Sequence, residues 1–444
     1  MLYTFKRGIH LNEQKHHTEN VPIEILLPGV KSEMVFPLLQ HLGVPCEPLV
    51  EIGQKVLLGE KIADSKAYVS SPIHSSVSGT VKDIRPHLTV TGTIVNSIII
   101  ENDGELTEHE SIKPRRDFNL LSKEEILAEI REAGIVGLGG AGFPTHVKLS
   151  PPDDKIIDTV IVNGSECEPF LTTDNRVMIE ESDRIVTGLQ IILKAIPTAK
   201  GIIAVEDNKP EAIQQLRKTI EGLSNIEVAV CKTKYPQGAE KQLISAITKR
   251  EVPSGGLPVD IGCIVNNVDT VIAIHRLFMR GRPLMRRVVT LTGGAIKNPG
   301  NYKIRLGTKV SDIMEMIGGL QRSAAKVVVG GPMMGVAIFD INVPIVKTTS
   351  GILFLTEEEA YIPPEQNCIR CGQCVEHCPT GLIPTELNID ILSENSEAFL
   401  RHNGLDCIEC GSCSYICPAK RRLSQAIRTT RRAELAKMRR NKEG

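Results

Sequence analysis

Eight of the twelve cysteines fall into two runs near the C-terminal end of the chain. Cys368, Cys371, Cys374 and Cys378 read C-x2-C-x2-C-x3-C-P, closing on Pro379. Cys407, Cys410, Cys413 and Cys417 repeat that spacing and close on Pro418. Thiolates at these intervals bind a pair of 4Fe–4S clusters, with the fourth cysteine of each run crossing to the other cluster. The expected sets are therefore Cys368, Cys371, Cys374 with Cys417, and Cys407, Cys410, Cys413 with Cys378. Gly372 and Gly411 leave room for backbone beside the inorganic sulfurs. Zinc sites usually show two C-x2-C pairs across a spacer. No C-x-x-C-H haem motif occurs, and the opening MLYTFKRGIH lacks the apolar region of a secretory signal. The chemistry these residues predict is the transfer of single electrons. Cys46, Cys167, Cys231 and Cys263 are scattered and read as small core residues.

A second chemical feature is Gly137-Leu138-Gly139-Gly140-Ala141-Gly142-Phe143-Pro144-Thr145-His146-Val147-Lys148. Four glycines in six residues open backbone N–H groups to close approach by a ligand. The lysine that follows adds a positive charge, a combination that suits a phosphate. A helix rather than a strand is expected before the loop, so it is not the dinucleotide-binding G-x-G-x-x-G turn. Taken alone, such a loop is most often only a turn.

These residues need elements to hold them. At 444 residues the chain predicts about three domains. There is no tryptophan, and nine Phe and six Tyr offer few stacking platforms, so nucleic acid is not an expected partner. No apolar run approaches the ~20 residues of a membrane helix. The longest, from Val327 to Phe339, is interrupted by Gly330, Gly331, Pro332 and Gly335. A soluble, reduced, cytoplasmic chain is expected. The net charge is −1, but after Pro418 ten Lys/Arg face two Glu. With a narrow apolar face of Leu423, Ile427, Leu435 and Met438, this tail reads equally as a solvated helix or as a basic helix for an anionic membrane or acidic partner.

Four units are expected in order. Residues 1–110 read as a β-rich unit whose short β-branched runs are punctuated by Gly53, Gly59, Pro72 and Gly79. This pattern resembles lipoyl- and biotinyl-type barrel-sandwich domains, with Lys66 at the position of their modified lysine, although an ordinary surface lysine is the commoner case. The charged stretch 101–117 reads as a linker. Residues 111–282 read as α/β: a helix over 123–133 capped by Ser122 with Glu125 at capping-box spacing, then strand 156–162, helix 177–195, strand 201–205, helix 210–221 opened by Lys209-Pro210, strand 226–231 and helix 238–248. Helices between apolar strands imply a mostly parallel sheet covered on both faces. Residues 283–345 resemble a β-grasp module of the soluble-ligand-binding (SLBB) type, two strands around Asn298-Pro299-Gly300 and a helix from Ser311. Its expected role is structural. Residues 346–444 form the α-helical, ferredoxin-like cluster domain with the basic tail.

The glycine loop resembles the GRGGAGFPTGLK loop of the NADH- and FMN-binding subunit of respiratory complex I. Asn163-Gly164-Ser165-Glu166-Cys167-Glu168-Pro169 resembles that family's N-A-D-E-x-E-P segment, Tyr235-Pro236-Gln237-Gly238-Ala239-Glu240 its Y-x-x-G-E-E, and Val265-Asn266-Asn267-Val268-Asp269-Thr270 its V-N-N-V-E-T. Over nearly its whole length the chain resembles more closely the RnfC proteins of Rnf complexes, the ion-translocating ferredoxin:NAD+ oxidoreductases. Those proteins carry twin cluster runs and an N-terminal segment like Ser71-Pro72-Ile73-His74-Ser75-Ser76-Val77-Ser78-Gly79.

The resemblance implies that Gly137, Gly139, Gly140, Gly142 and Lys148 cradle the phosphate and ribityl chain of non-covalent FMN. Asn163, Ser165, Tyr235, Gly238, Asn266, Asn267 and Thr270 complete its pocket. Phe143 would stack on the adenine of NAD(H), and Glu166, Glu168 and Glu240 would orient the nicotinamide and ribose. Leu138, Ala239 and Pro151 depart from the complex I pattern, at an arginine, a glutamate and a stacking aromatic. No side-chain acid or base is assigned to hydride transfer. The implied setting is the cytoplasmic face of the bacterial cell membrane, beside an iron–sulfur subunit fed by ferredoxin. Two alternatives share these motifs: a cobalamin reductase of bacterial microcompartments, and a flavin-free electron-transfer scaffold.

Overall fold

Alternation of apolar strands with amphipathic helices builds a four-stranded parallel sheet at the centre of the molecule. The structure is a computed structural model that describes residues 2–113 and 117–443. Across the sheet the order is Ile226–Cys231, Lys200–Glu206, Thr159–Gly164 and Cys263–Asn267. The chain lays down Thr159–Gly164, builds outward on one side, then returns to add Cys263–Asn267 on the other. That reversal leaves a crevice beyond the carboxyl ends of these two strands, where open α/β sheets bind ligands. Val160, Ile161 and Val162 are fully enclosed, as a sheet covered on both faces requires.

The first helix, Lys123–Glu132, carries the expected capping box between Ser122 and Glu125, and Pro210 opens the helix Pro210–Thr219. The strand expected at 156–162 starts later, at Thr159, and Ile156 is exposed. The single helix expected over 177–195 is two, Thr173–Glu180 and Ser182–Ala195. Glu181 breaks them with non-helical backbone, and Arg276, Lys303 and Arg184 all pair with its carboxylate. Burial opposes that charge, yet the surrounding cations hold its pKa down at about 2.

The N-terminal barrel-sandwich is built from two antiparallel sheets. One runs Glu33–Pro37, Ile94–Asn102, Gly79–Leu88, Lys55–Val56; the other runs Glu47–Pro48, Lys61–Asp64, Ile73–His74. Lys66 is exposed on the loop after Lys61–Asp64. This loop docks on the central domain: Arg131 donates to the Ser65 carbonyl at 2.8 Å and His146 Nε2 lies 3.1 Å from the Tyr68 carbonyl. The stretch expected as a linker is partly structured. Glu101 and Asn102 end a strand, and Glu108 bridges to Leu58; residues 114–116 lie outside the described residues.

The β-grasp strands Arg286–Thr292 and Gly300–Arg305 pair antiparallel, and the helix Val310–Met316 follows. Their sheet reaches beyond the expected module. It is six-stranded and takes in Ile23–Ile25 from the N-terminal region and Gly351–Leu355 from the C-terminal region. The expected divisions at 110/111 and 345/346 therefore separate strands of one sheet. The interrupted apolar run is a hairpin, Lys326–Val329 with Val336–Ile338.

Lys347 ties three of these bodies together. Fully enclosed, its ammonium donates to the Pro72 carbonyl at 2.6 Å, the Gly134 carbonyl at 2.8 Å and Ser71 Oγ at 3.3 Å. Burial draws its pKa down to about 7. Among the described residues, no helix is long and apolar enough to cross a membrane.

Candidate functional site

The glycine loop is a closed tongue. Gly137 N donates to the Phe143 carbonyl at 2.8 Å, and Val136 bridges to Pro144. Gly139, Gly140 and Ala141 stand exposed at its tip. Gly140 has φ +139° and Gly142 φ +66°, conformations that side chains other than glycine disfavour. At Gly142 a Cβ would also lie 2.8 Å from Thr348 Cγ2. Leu138 anchors the tongue: its N–H donates to Thr270 Oγ1 at 2.9 Å and its carbonyl accepts from Arg287 Nη2 at 2.9 Å. Its side chain is buried, so the departure from arginine there serves packing.

The tongue lies over the crevice at the strand reversal, where a Cβ on Gly139 would stand 3.1 Å from Asn267 Cβ. Asn267 caps the helix Val268–Arg280 and donates to Asp174 Oδ2 at 2.7 Å. Lys148 Nζ donates to Glu240 Oε1 at 3.0 Å and to the Val265 carbonyl at 2.8 Å, which joins two expected site residues. Asn163 donates to the Gly238 carbonyl at 2.8 Å, and a Cβ on Gly238 would lie 2.2 Å from the Ser165 carbonyl. Phe143 is half-buried on the tongue. Asn266 Nδ2 and Asn175 Oδ1 are shielded from solvent yet have no hydrogen-bond partner in the protein. An unpaired buried polar atom costs about 1–3 kcal/mol, so these two suit a polar ligand seated in the crevice.

The two glutamates of the 163–169 segment are engaged within the protein. Glu166 caps the helix Thr173–Glu180, accepting from Thr173 Oγ1 at 3.1 Å, Asp174 N at 2.9 Å and Asn175 N at 3.3 Å. Glu168 Oε2 accepts from Met333 N at 3.1 Å, and burial raises its carboxyl to about 7. Glu240 stays partly open to solvent. Tyr235, expected in the flavin pocket, is only 2% exposed and turns toward the cluster domain, donating to the Cys410 carbonyl at 2.7 Å.

Asp174, Arg287 and Met333 belong to this site and carry no motif of their own. Burial, then repulsion from Glu166 and Asp269, raises the Asp174 carboxyl. Arg287 pairs with Asp269 at 3.0 Å while it holds the tongue.

Thiols of the two cysteine runs lie within electrostatic reach of one another. Cys413 feels the charges of Cys410, Cys407 and Cys378, and Cys407 those of Cys410 and Cys378. Cys374 feels Cys417 and Cys371. Burial raises the Cys407 thiol to about 11 and shifts Cys374 and Cys410 upward. Among the described residues, no three His, Cys, Asp or Glu side chains converge as a single metal ion demands. A four-iron cluster takes one thiolate per iron and so keeps its thiolates apart, which fits this arrangement. Of the remaining cysteines, Cys46, Cys231 and Cys263 are buried and Cys167 is half-buried, accepting from Gly238 N at 3.3 Å.

Comparison with known proteins accounts for each body. Residues 3–105 match the RnfC barrel sandwich hybrid domain, 130–276 the Nuo51 FMN-binding domain, 288–337 the SLBB domain and 367–421 the 4Fe-4S dicluster domain. The C component of the proton-translocating ferredoxin:NAD(+) oxidoreductase complex of Clostridium ljungdahlii is 46% identical over 96% of this chain and 93% of its own length. The C component of the Na(+)-translocating complex of Acetobacterium woodii is 47% identical over 98% of both chains. The chain belongs to the RnfC family. An NAD+-reducing NiFe hydrogenase shares the fold at TM-score 0.50 and 17% identity, over 74% of this chain and 68% of that one.

The RnfC family carries FMN and two 4Fe–4S clusters, and both groups fit what this chain presents. The tongue and the unpaired Asn266 and Asn175 offer a flavin nucleotide N–H groups, an amide donor and an amide acceptor. The eight cysteines of the two runs suffice for four thiols to each cluster.

Proposed function

We propose that this chain is the peripheral flavin and iron–sulfur subunit of a membrane-bound ferredoxin:NAD+ oxidoreductase. It exchanges a hydride between NAD(H) and FMN, and single electrons with its two clusters. The observation that carries this reading is structural. The domain that bears the glycine tongue at the sheet's strand reversal is joined to the second cysteine run through Tyr235.

Bound FMN supplies the conversion between two-electron hydride chemistry and one-electron steps. The chain's residues bind and orient it. Backbone N–H groups of Gly139, Gly140 and Ala141, with Lys148, form the phosphate end. Asn163, Ser165, Gly238, Asn266, Asn267 and Thr270 line or brace the rest. Phe143 offers the exposed edge for an adenine. Glu240 is the accessible carboxylate near the nucleotide. Glu166 and Glu168 act at one remove, by holding the helix Thr173–Glu180 and the Met333 loop in place.

The cluster ligands are Cys368, Cys371, Cys374 and Cys417 in one set and Cys407, Cys410, Cys413 and Cys378 in the other. The partner is an iron–sulfur subunit that collects electrons from ferredoxin on the cytoplasmic face of the membrane. Two relatives of nearly equal identity name different ions, so ion choice belongs to other subunits.

The test is anaerobic purification, release and quantification of flavin, and cluster absorbance after NADH. Stoichiometric FMN with NADH-driven bleaching is expected; intact clusters without flavin overturn the reading. Recovery in washed membranes with integral partners is expected for the placement, and a chain found wholly in the soluble fraction with no partner refutes it.

A further inference from the structure

The two cysteine sets differ in where they sit. We propose that the cluster held by Cys407, Cys410, Cys413 and Cys378 is the flavin-side cluster, positioned by Tyr235, and that the other is the outer, partner-side cluster. This rests on the functional reading above and adds the order of the path.

The second run touches the flavin-binding body at two independent points. Tyr235 lies three residues before Gly238, whose carbonyl is held by Asn163 at the end of the central strand. Its hydroxyl donates to the Cys410 carbonyl at 2.7 Å, and its ring packs with Ile9, Cys410, Met333 and Ile408. The second point is the Met333 loop, held at its other side by Glu168. The Met333 carbonyl lies 3.1 Å from where a Cβ on Gly411 would stand.

The first run leaves its opening cysteines uncovered. Cys368, Cys371 and Gly372 are exposed, Ile369 is 67% exposed, and no atom comes within 4 Å of a Cβ built on Gly372. It meets the body through the carbonyls of Val375, His377 and Pro379, which follow its open cysteines in the chain. Electron tunnelling falls off exponentially with the gap between centres. The cluster packed against the flavin body is therefore the one that trades electrons with it, and the exposed cluster is the one an outside partner reaches.

Charge agrees with this order. Arg428, Arg431 and Arg432 converge on Glu409 inside the second run, whereas the corresponding residue of the first is the exposed Arg370. Three guanidinium groups around one carboxylate favour the more negative, reduced cluster. With both clusters bound, these arginines would favour the inner site as the one that accepts the electron and the outer as the one that gives it up.

The test is Tyr235→Phe in the anaerobically purified, cluster-loaded chain, read by potentiometric EPR. Cys410→Ser and Cys371→Ser assign the two signals. A downward shift in the potential of the second-run signal, with the first-run signal unchanged, is expected. A shift confined to the first-run signal, or none in either, overturns the proposal. In addition, Cys410→Ser should slow NADH reduction of the surviving cluster about ten-fold or more, and Cys371→Ser should leave it within about two-fold; the reverse pattern also overturns the order. Wild-type protein reduced by dithionite but not by NADH would refute the functional reading instead, while the Tyr235→Phe shift would still decide which cluster lies at the flavin body.

Discussion

In the first cysteine run Arg370, Gly372 and Gly381 have φ of 57°, 75° and 76°; in the second, Glu409, Gly411 and Lys420 have 58°, 80° and 53°. Arg370 N and Glu409 N each donate to the first thiol of their run at 3.4 Å. Gly381 N and Lys420 N each donate to the carbonyl of the fourth cysteine at 3.1 Å. The backbones are repeats of one motif, yet the first run exposes Cys368 and Cys371 while the second sets Cys410 against Tyr235 and Met333. A local motif sets how a cluster is held. Residues distant in sequence set what that cluster faces.

The strongest way to break this comparison is to exchange the crossing cysteines. Cys378→Ser should remove the cluster of Cys407, Cys410 and Cys413, and Cys417→Ser that of Cys368, Cys371 and Cys374, each losing about half of the iron. EPR and iron analysis check it, and loss of the home-run cluster in either variant would refute the crossing.

Next in size is the buried lysine that joins the barrel-sandwich to the central domain. Lys347→Met strands the Pro72 and Gly134 carbonyls, at about 1–3 kcal/mol each, and should lower the denaturation midpoint of the body. The unfolded lysine titrates near 10.5 and the folded one at about 7, so between these values the unfolded chain binds the extra proton. Stability from this group therefore rises as pH climbs from about 7 to 10.5 and is lost as pH falls back through 7. Urea titrations across that range should show the slope in wild type and its absence in Lys347→Met.

A finer test pairs the glycines. Gly372→Ala and Gly411→Ala both force a left-handed residue, about 1–2 kcal/mol. Only Gly411→Ala also crowds the Met333 carbonyl. It should be the more destabilising and should alone perturb the second-run EPR signal; equal effects would erase the distinction. The smallest effect is expected for Glu409→Gln. Without its carboxylate the three arginines act unopposed, so the second-run potential should rise slightly while the first-run potential stays put.

Much of this was legible beforehand for definite reasons. The strand Ile226–Cys231 and the capping box at Ser122 follow from local periodicity and hydrogen bonding, and both appear where expected. The uses of Glu166 and Glu168 were not legible, because a carboxylate after a strand reads the same whether it meets a ligand, a helix end or a distant loop. Nor was the six-stranded sheet, whose outer strand Ile23–Ile25 is three residues long and owes its pairing to Gly300–Arg305. Lys347 looked like any lysine until three bodies closed over it.

Residue type and spacing alone pointed to two clusters and to a glycine-rich loop suited to phosphate, and the resemblance of four motifs pointed to the family. These rest on short-range constraints: coordination by near neighbours, and backbone N–H groups freed by glycine. Only the tertiary structure decided which carboxylates brace the site, where the tongue meets the sheet, and which cysteine run lies against the flavin body. Those are matters of burial and contact between residues hundreds of positions apart, and no local pattern records them.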